Sequence, residues 1–338
     1  KIAKIKSLGT SGDLTRAIEA PIEMCSDEWI AKEENRRWSD LASSADGKIL
    51  AAVVDNGASD AYTGDDGFIY ILTDGGDNWE AKLADVPRRW YDIDMSADGT
   101  FLIAVENGGN PWVSEDYGNS WTMRGNPGAA GTRNWYEVAY LNGDGRILLA
   151  EFNGVNGRIW SSDNKGVDWT RRTDTNRKWV DIAASSDGQK LVAITFNDLT
   201  ATDSGGIFTS IDRGNTWQRR TTDSKKWDDV ASSPNGTYLA AVIKDGGIYV
   251  SDDSGVNWNP TSAPDRGWED IISIGEDGQT LMASVNGGSI YTSTDRGVTW
   301  EEESAGSRKW FDLVSSADGK QIVAIDEGGK IYIKKICN

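Results

Sequence analysis

The sequence predicts an all-β fold, a single closed array of seven four-stranded units, on three observations. A basic residue, any residue, a Trp, any residue and an acid recur seven times. The first copy is Arg36-Arg37-Trp38-Ser39-Asp40, and the others surround Trp90, Trp135, Trp179, Trp227, Trp268 and Trp310. Successive Trp residues lie 52, 45, 44, 48, 41 and 42 apart, a period that marks a repeat architecture rather than two unrelated domains. An octapeptide, S-x-D-x-G-x-x-W, recurs between the signatures. The 38 glycines in 338 residues supply the positive-φ positions that many tight turns need.

The last full unit shows how the elements follow from the residues. Residues 308–314, Arg-Lys-Trp-Phe-Asp-Leu-Val, alternate as a half-buried strand does. Ser316-Ala317-Asp318-Gly319 reads as a hairpin turn, with Gly at the strained position. Gln321 to Ile325 is a short apolar run suited to a buried strand, and Glu327-Gly328-Gly329 turns the chain into a third strand from Lys330 to Ile333.

Earlier units add the octapeptide turn and a fourth strand. The octapeptide stands at Ser293 to Trp300, Ser251 to Trp258, Ser210 to Trp217 and Ser114 to Trp121. Leu72 to Trp79 lacks the Ser, and Ser162 to Trp169 has Asn164 in place of Asp. An Asp here accepts hydrogen bonds from nearby backbone N–H groups, Gly permits the turn, and Trp anchors the hairpin. The octapeptides resemble the Asp-box, or BNR, repeat of β-propellers such as sialidases, sortilins and two-propeller glucanases, over about Trp29 to Tyr332. The resemblance implies a single seven-bladed β-propeller of four-stranded blades. It also makes Asp74, Asp116, Asn164, Asp212, Asp253 and Asp295 structural turn residues rather than calcium ligands.

Seven signatures against six octapeptides leave one blade incomplete, and the N-terminus supplies the remainder. Trp29 lies 9 residues before Trp38, as Trp300 lies 10 before Trp310. The expected ring is therefore closed by an N-terminal strand completing the C-terminal blade. Residues 1–24 are then an N-terminal extension and residues 25–338 the propeller. Cys25 precedes Trp29 by four residues, as Arg296 precedes Trp300, and Cys337 falls on the same slot when Lys334 is aligned with Ser293. We expect a Cys25–Cys337 disulfide in place of the missing turn. Such a bond implies an extracellular, periplasmic, luminal or cell-surface setting.

Composition narrows the chemistry. A net charge of −18 argues against nucleic acid as a partner, since phosphate contacts need clustered Lys and Arg. With no His, Ser-His-Asp and Cys-His catalysis are excluded, and two Cys cannot build a structural zinc site. No cofactor is called for. No run of apolar residues is long enough for a membrane helix, so no membrane insertion is expected. The N-terminus lacks a signal-peptide pattern and begins at Lys1 without Met, which suggests a processed mature form.

The candidate site residues follow from the placement of the signatures. Propellers share one face between the loops entering the innermost strands and those joining second to third strands. On that face the bases Arg36, Arg88, Arg133, Arg177, Lys225, Arg266 and Arg308 stand two places before each Trp. Strand alternation predicts that base, Trp and acid project to one side of each sheet. Identical chemistry in every blade favours packing over binding, so the symmetry-breaking loops are the better guide. These are residues 55–67 with Asp60, Tyr62 and Asp65, residues 197–204 with Asp198 and Asp203, and residues 125–132. The first loop is acidic and is a candidate for Ca²⁺, although it lacks EF-hand spacing.

Blade count and charge placement resemble the photosystem II assembly-factor family, whose propellers dock protein partners through an Arg-rich patch. That resemblance implies a non-catalytic binding or assembly scaffold with a protein partner. The alternative is a glycan partner, as in a lectin or a carboxylate-based glycoside hydrolase. Sialidases are a poorer match, having six blades and usually an Arg-Ile-Pro motif that is missing here. No carboxylate pair stands out, and the sequence leans away from an enzyme.

Overall fold

The computed structural model describes residues 27–57, 66–73, 78–125, 133–152, 157–196, 205–221, 225–275 and 277–337. The expectations for Cys25, Asp60, Tyr62, Asp65, Asp74, Asp198 and Asp203 fall outside these residues.

Twenty-eight strands and no helix make up the described chain, so no helix is long and apolar enough to cross a membrane. Five four-stranded antiparallel sheets begin with the strands Trp38–Ser43, Trp90–Met95, Trp135–Leu141, Trp179–Ala184 and Trp227–Ser232. The Trp268 and Trp310 units share an eight-stranded sheet, bridged where Asn286 pairs with Lys309. Strand Trp29–Lys32 pairs antiparallel with Ile331–Lys335, placing Trp29 opposite Lys334. The Trp29 and Trp310 ring centroids lie 6.0 Å apart. This matches the 6.0 Å between Trp217 and Trp179 and between Trp300 and Trp268. Trp29 therefore occupies a fourth-strand Trp position in the Trp310 unit. At the other end, the Cys337 N–H donates to Asp27 Oδ1 at 2.9 Å.

The core is a set of layers between sheets. Trp38, Leu41 and Val54 pack against Val323, Ile325 and Ile331 on one side of the first sheet. Val53, Ile69 and Ile71 pack against Trp90 and Ile93 on the other. Second strands such as Leu50–Val54 are buried on both faces, which explains why they read as continuous apolar runs.

The octapeptide turns are held by their own side chains. Ser114 Oγ donates to Asp116 Oδ1 at 2.8 Å and accepts the Gly118 N–H at 2.9 Å. Asp116 accepts the Ser120 N–H at 2.8 Å and its hydroxyl at 2.6 Å, while Trp121 Nε1 donates to the Gly118 carbonyl. The turn containing Asn164 reverses one of these bonds. Asn164 Oδ1 still accepts a backbone N–H, from Asp168, but its Nδ2 donates to the Asp168 carboxylate at 2.9 Å. An acid at position 168 thus compensates for the missing acid at 164.

Each first strand carries a β-bulge after its Trp, between Trp and acid in six of them and between Trp268 and Ile271 in the remaining one. Trp38 pairs with Val54, but Asp40 pairs with the adjacent Val53. Two residues facing one reverse the alternation, so Trp and acid emerge on opposite faces. This corrects the one-sided projection expected from the spacing. The Trp faces the preceding sheet, and the acid faces the following one.

Candidate functional site

Beyond the bulges the seven acids converge on one cavity. Five of them accept a backbone N–H from the next unit. Asp40 takes Ile93 N at 2.7 Å, Asp181 takes Val230 N at 2.7 Å, and Asp229 takes Ile271 N at 2.7 Å. Asp92 takes Val138 N, and Asp312 takes Leu41 N at 2.8 Å, joining the last unit to the first. The pattern lapses where Ile182 and Leu313 donate to Asp181 and Asp312 instead. At the second of these seams Asp270 Oδ2 is buried without a hydrogen-bond partner. Burial raises all seven carboxyls: Asp312 is pushed up to about 7, and Asp40, Glu137, Asp181, Asp229 and Asp270 are held well above the usual carboxylate range. Neighbouring carboxylates add to the effect of burial at Asp40, Glu137, Asp181, Asp229 and Asp270.

The acids line a cavity of about 320 Å³. With the acids and Lys244, the lining consists of the residues directly after each Trp: Ser39, Tyr91, Tyr136, Val180, Asp228, Glu269 and Phe311. This position breaks the sevenfold pattern. On one side Tyr91 and Tyr136 lie 4.5 Å apart, and the row of rings continues with Phe152 stacked at 4.7 Å and Phe196 edge-on at 6.0 Å. Lys178 Nζ sits over the Phe152 ring at 5.3 Å. On the other side Lys244 Nζ lies 3.4 Å from Asp228 and 3.8 Å from Glu269. Burial pushes Asp228 up to about 6 and raises Glu269 despite Lys244. Burial opposes a charged Lys244, but Asp228 and Glu269 outweigh it and raise the ammonium.

The seven bases do not point into this cavity. Each lies over the aromatic ring on the third strand of its own unit, namely Tyr70, Trp112, Trp160, Phe208, Tyr249, Tyr291 or Tyr332. The distances to the ring centroids are 4.5 to 5.0 Å. Arg36 also meets Asp66 at 3.3 Å, Arg88 meets Asp85 at 2.7 Å, and Arg133 meets Glu151 at 2.9 Å. Cation–π contact contributes about 0.5–2 kcal/mol per pair. The third-strand rings escaped the sequence reading, although a recurring dipeptide marks most of them: an aromatic follows Ile at Tyr70, Trp160, Phe208, Tyr249, Tyr291 and Tyr332. The cavity residues escaped it because they occupy the unconstrained place in the signature.

Among the described residues no cluster of three or more acids or Cys is arranged to hold a metal ion. The predicted turn residues Asp116, Asn164, Asp212, Asp253 and Asp295 sit in the octapeptide turns, away from the cavity lining.

No protein-family profile matches the sequence, and no curated protein matches it. Solved structures do resemble it. YCF48 from Cyanidioschyzon merolae superposes with a TM-score of 0.69 at 15% identity, over 91% of this chain and 98% of that one. YCF48 bound to a D1 peptide gives 0.69 at 17% identity, over 92% and 95%. A GH74 xyloglucanase from Xanthomonas campestris gives 0.66 at 15% identity, over 90% of this chain and 53% of the enzyme. At these identities the likeness establishes the fold: the chain is a β-propeller resembling the YCF48 and GH74 propellers.

Proposed function

We propose that the chain is a seven-bladed propeller, closed by strand Trp29–Lys32, that serves as a non-catalytic docking scaffold for a protein segment. The observation that carries this reading is the asymmetric lining of the cavity, with an aromatic wall at Tyr91 and Tyr136 facing Asp228 and Glu269. Its excess of acid over base fits a segment that inserts a basic side chain, with the aromatic wall holding the aliphatic stem. The peptide bound by YCF48 is consistent with such a use of this fold. The seven converging carboxyls suit catalysis poorly, because backbone N–H groups of the next unit occupy several of them.

A synthetic peptide array graded in net charge tests the reading. Binding is expected to rise with positive charge, to weaken with added salt, and to fall about tenfold in Asp228→Asn/Glu269→Gln, or ~1.4 kcal/mol. Binding that ignores peptide charge, or that survives both the double substitution and Tyr136→Ala, refutes it.

A second reading is favoured by Asp228, whose carboxyl at about 6, in one cavity with Tyr91 and Tyr136, suits a sugar site. Cleavage of xyloglucan by the wild-type chain, lost in Asp228→Asn, would replace the scaffold reading. We propose further that Cys25 and Cys337 form the ring-closing disulfide, which places the protein in an oxidising compartment.

A further inference from the structure

The repeated units provide internal controls for one another, and one groove between units differs from its equivalent. Between the Trp179 and Trp227 units, Lys190 crosses the groove and its Nζ donates to Ser254 Oγ at 3.2 Å. Only about 10 Å³ remains there. One unit later Tyr238 stands in place of Lys190 and Arg296 in place of Ser254, and a cavity of about 170 Å³ opens between the Trp227 and Trp268 units. The Arg296 guanidinium lies 3.9 Å from the Tyr238 ring centroid.

Two polar groups at this groove lack the partners that their equivalents have. At the turn position of Arg296, Lys165 meets Glu115 and Arg213 meets Asp144. Arg296 makes no ion pair among the described residues; its Nε is buried without a hydrogen-bond partner, as is that of Arg213, so the missing carboxylate is what sets Arg296 apart. Five places after the unit's Trp, Ser43 and Ser232 donate their hydroxyls to the following carbonyls at 3.0 Å. The corresponding Ser273 Oγ is buried and unpartnered. Leaving such groups unmatched is costly. Both line the cavity, whose other walls include Leu239, Val250 and Leu281.

We propose that this groove binds a small monocarboxylate with an apolar body. Arg296 and Ser273 donate to the carboxylate, and Leu239, Val250 and Leu281 cover the apolar part. The volume lies below the ~300–1,000 Å³ of ordinary ligand sites, which limits the ligand to about ten non-hydrogen atoms. Asp252 at the edge of the same cavity disfavours a second negative charge. The site is separate from the acid-lined cavity and does not depend on the scaffold reading.

Benzoate is a suitable probe, followed by calorimetry with the full chain. It is expected to bind saturably with a Kd on the order of 1 mM, typical of so small a ligand. Benzyl alcohol, which lacks the charge, is expected to bind at least about tenfold more weakly. Arg296→Gln is expected to weaken benzoate by at least about tenfold, while Arg213→Gln leaves it unchanged. The turn itself tolerates replacement, since Tyr117, Lys165 and Ser254 adopt the same positive φ. Tyr238→Lys/Arg296→Ser transplants the closed groove's pair and is expected to abolish binding while preserving the melting transition. Equal affinity for benzoate and benzyl alcohol overturns the proposal. So does unchanged benzoate affinity in Arg296→Gln or in the transplant, or no saturation by about 10 mM.

Discussion

Raising the pH from 5 to 8 should destabilise this protein, and the buried acid ring sets the magnitude. Asp312 titrates near 7 when folded, against an ordinary carboxyl value of 3.8, because burial disfavours its charge. A folded pKa raised above the unfolded one means that the native state holds the extra proton. That stabilisation is complete below about pH 4 and is lost as pH rises through about 7. A shift of about 3 units at ~1.4 kcal/mol each gives an upper figure of about 4 kcal/mol for this one group over its whole titration, of which about 3 kcal/mol is lost between pH 5 and 8. Asp94, also near 7 through burial, acts in the same direction, as do the other ring acids. The chain has no His, so no imidazole titrates in this window to confuse the reading.

Asp40→Asn isolates the ring's contribution. The Asn oxygen still accepts the Ile93 N–H, and its NH₂ is turned toward the carboxyl of Asp92, which interacts with Asp40. One titrating group disappears, so the slope of unfolding free energy against pH should flatten by up to ~1.4 kcal/mol per pH unit. Urea unfolding of both proteins at half-unit intervals measures the two slopes. Wild-type stability that is level or rising between pH 5 and 8 refutes the reasoning, as does an Asp40→Asn slope parallel to wild type.

Three further outcomes follow from the packing. Asn164→Asp should cost about 1 kcal/mol by facing two carboxylates in an exposed turn, and adding Asp168→Ser should restore it. Thermal melts of the double-mutant cycle check the coupling, and additivity would contradict it. Trp29→Ala should cost about 2–4 kcal/mol by removing the ring against Trp310, and a loss under about 0.5 kcal/mol in urea melts would contradict that packing role. With Cys25 and Cys337 paired as proposed, reduction should lower stability by about 5–6 kcal/mol in the chain-entropy treatment of so long a loop, and non-reducing mass spectrometry that finds both as thiols would remove the basis for this.

The sheet order was legible in the sequence because every unit repeats its boundaries. The Trp period placed the first strands, and the 9-residue step from Trp29 to Trp38 identified the strand that pairs with Ile331–Lys335. The direction of the side chains was not legible. Trp-x-Asp has the spacing of two residues on one face, and a bulge leaves no mark in residue type because Ser39, Tyr91, Val180 and Phe311 all accommodate it. The bases looked like a surface because their ring partners lie 24 to 34 residues downstream, as Tyr70 does from Arg36. The cavity wall was hidden for the opposite reason: its residues vary, and a search for repetition passes over what varies.

The bulge also bears on how such a chain can grow. Where the acid link forms, a unit carries a plug, its acid, and a socket, the N–H three places after its Trp. Asp40 enters the socket at Ile93, and Asp312 enters the one at Leu41. Both halves of the joint lie within a single strand of six to eight residues, so copying one unit copies a complete connector. A duplicated unit can then join any neighbour without new contacts being invented. At the seams after Glu137 and Asp270 the plug is not engaged, so copying those units would not copy a working joint.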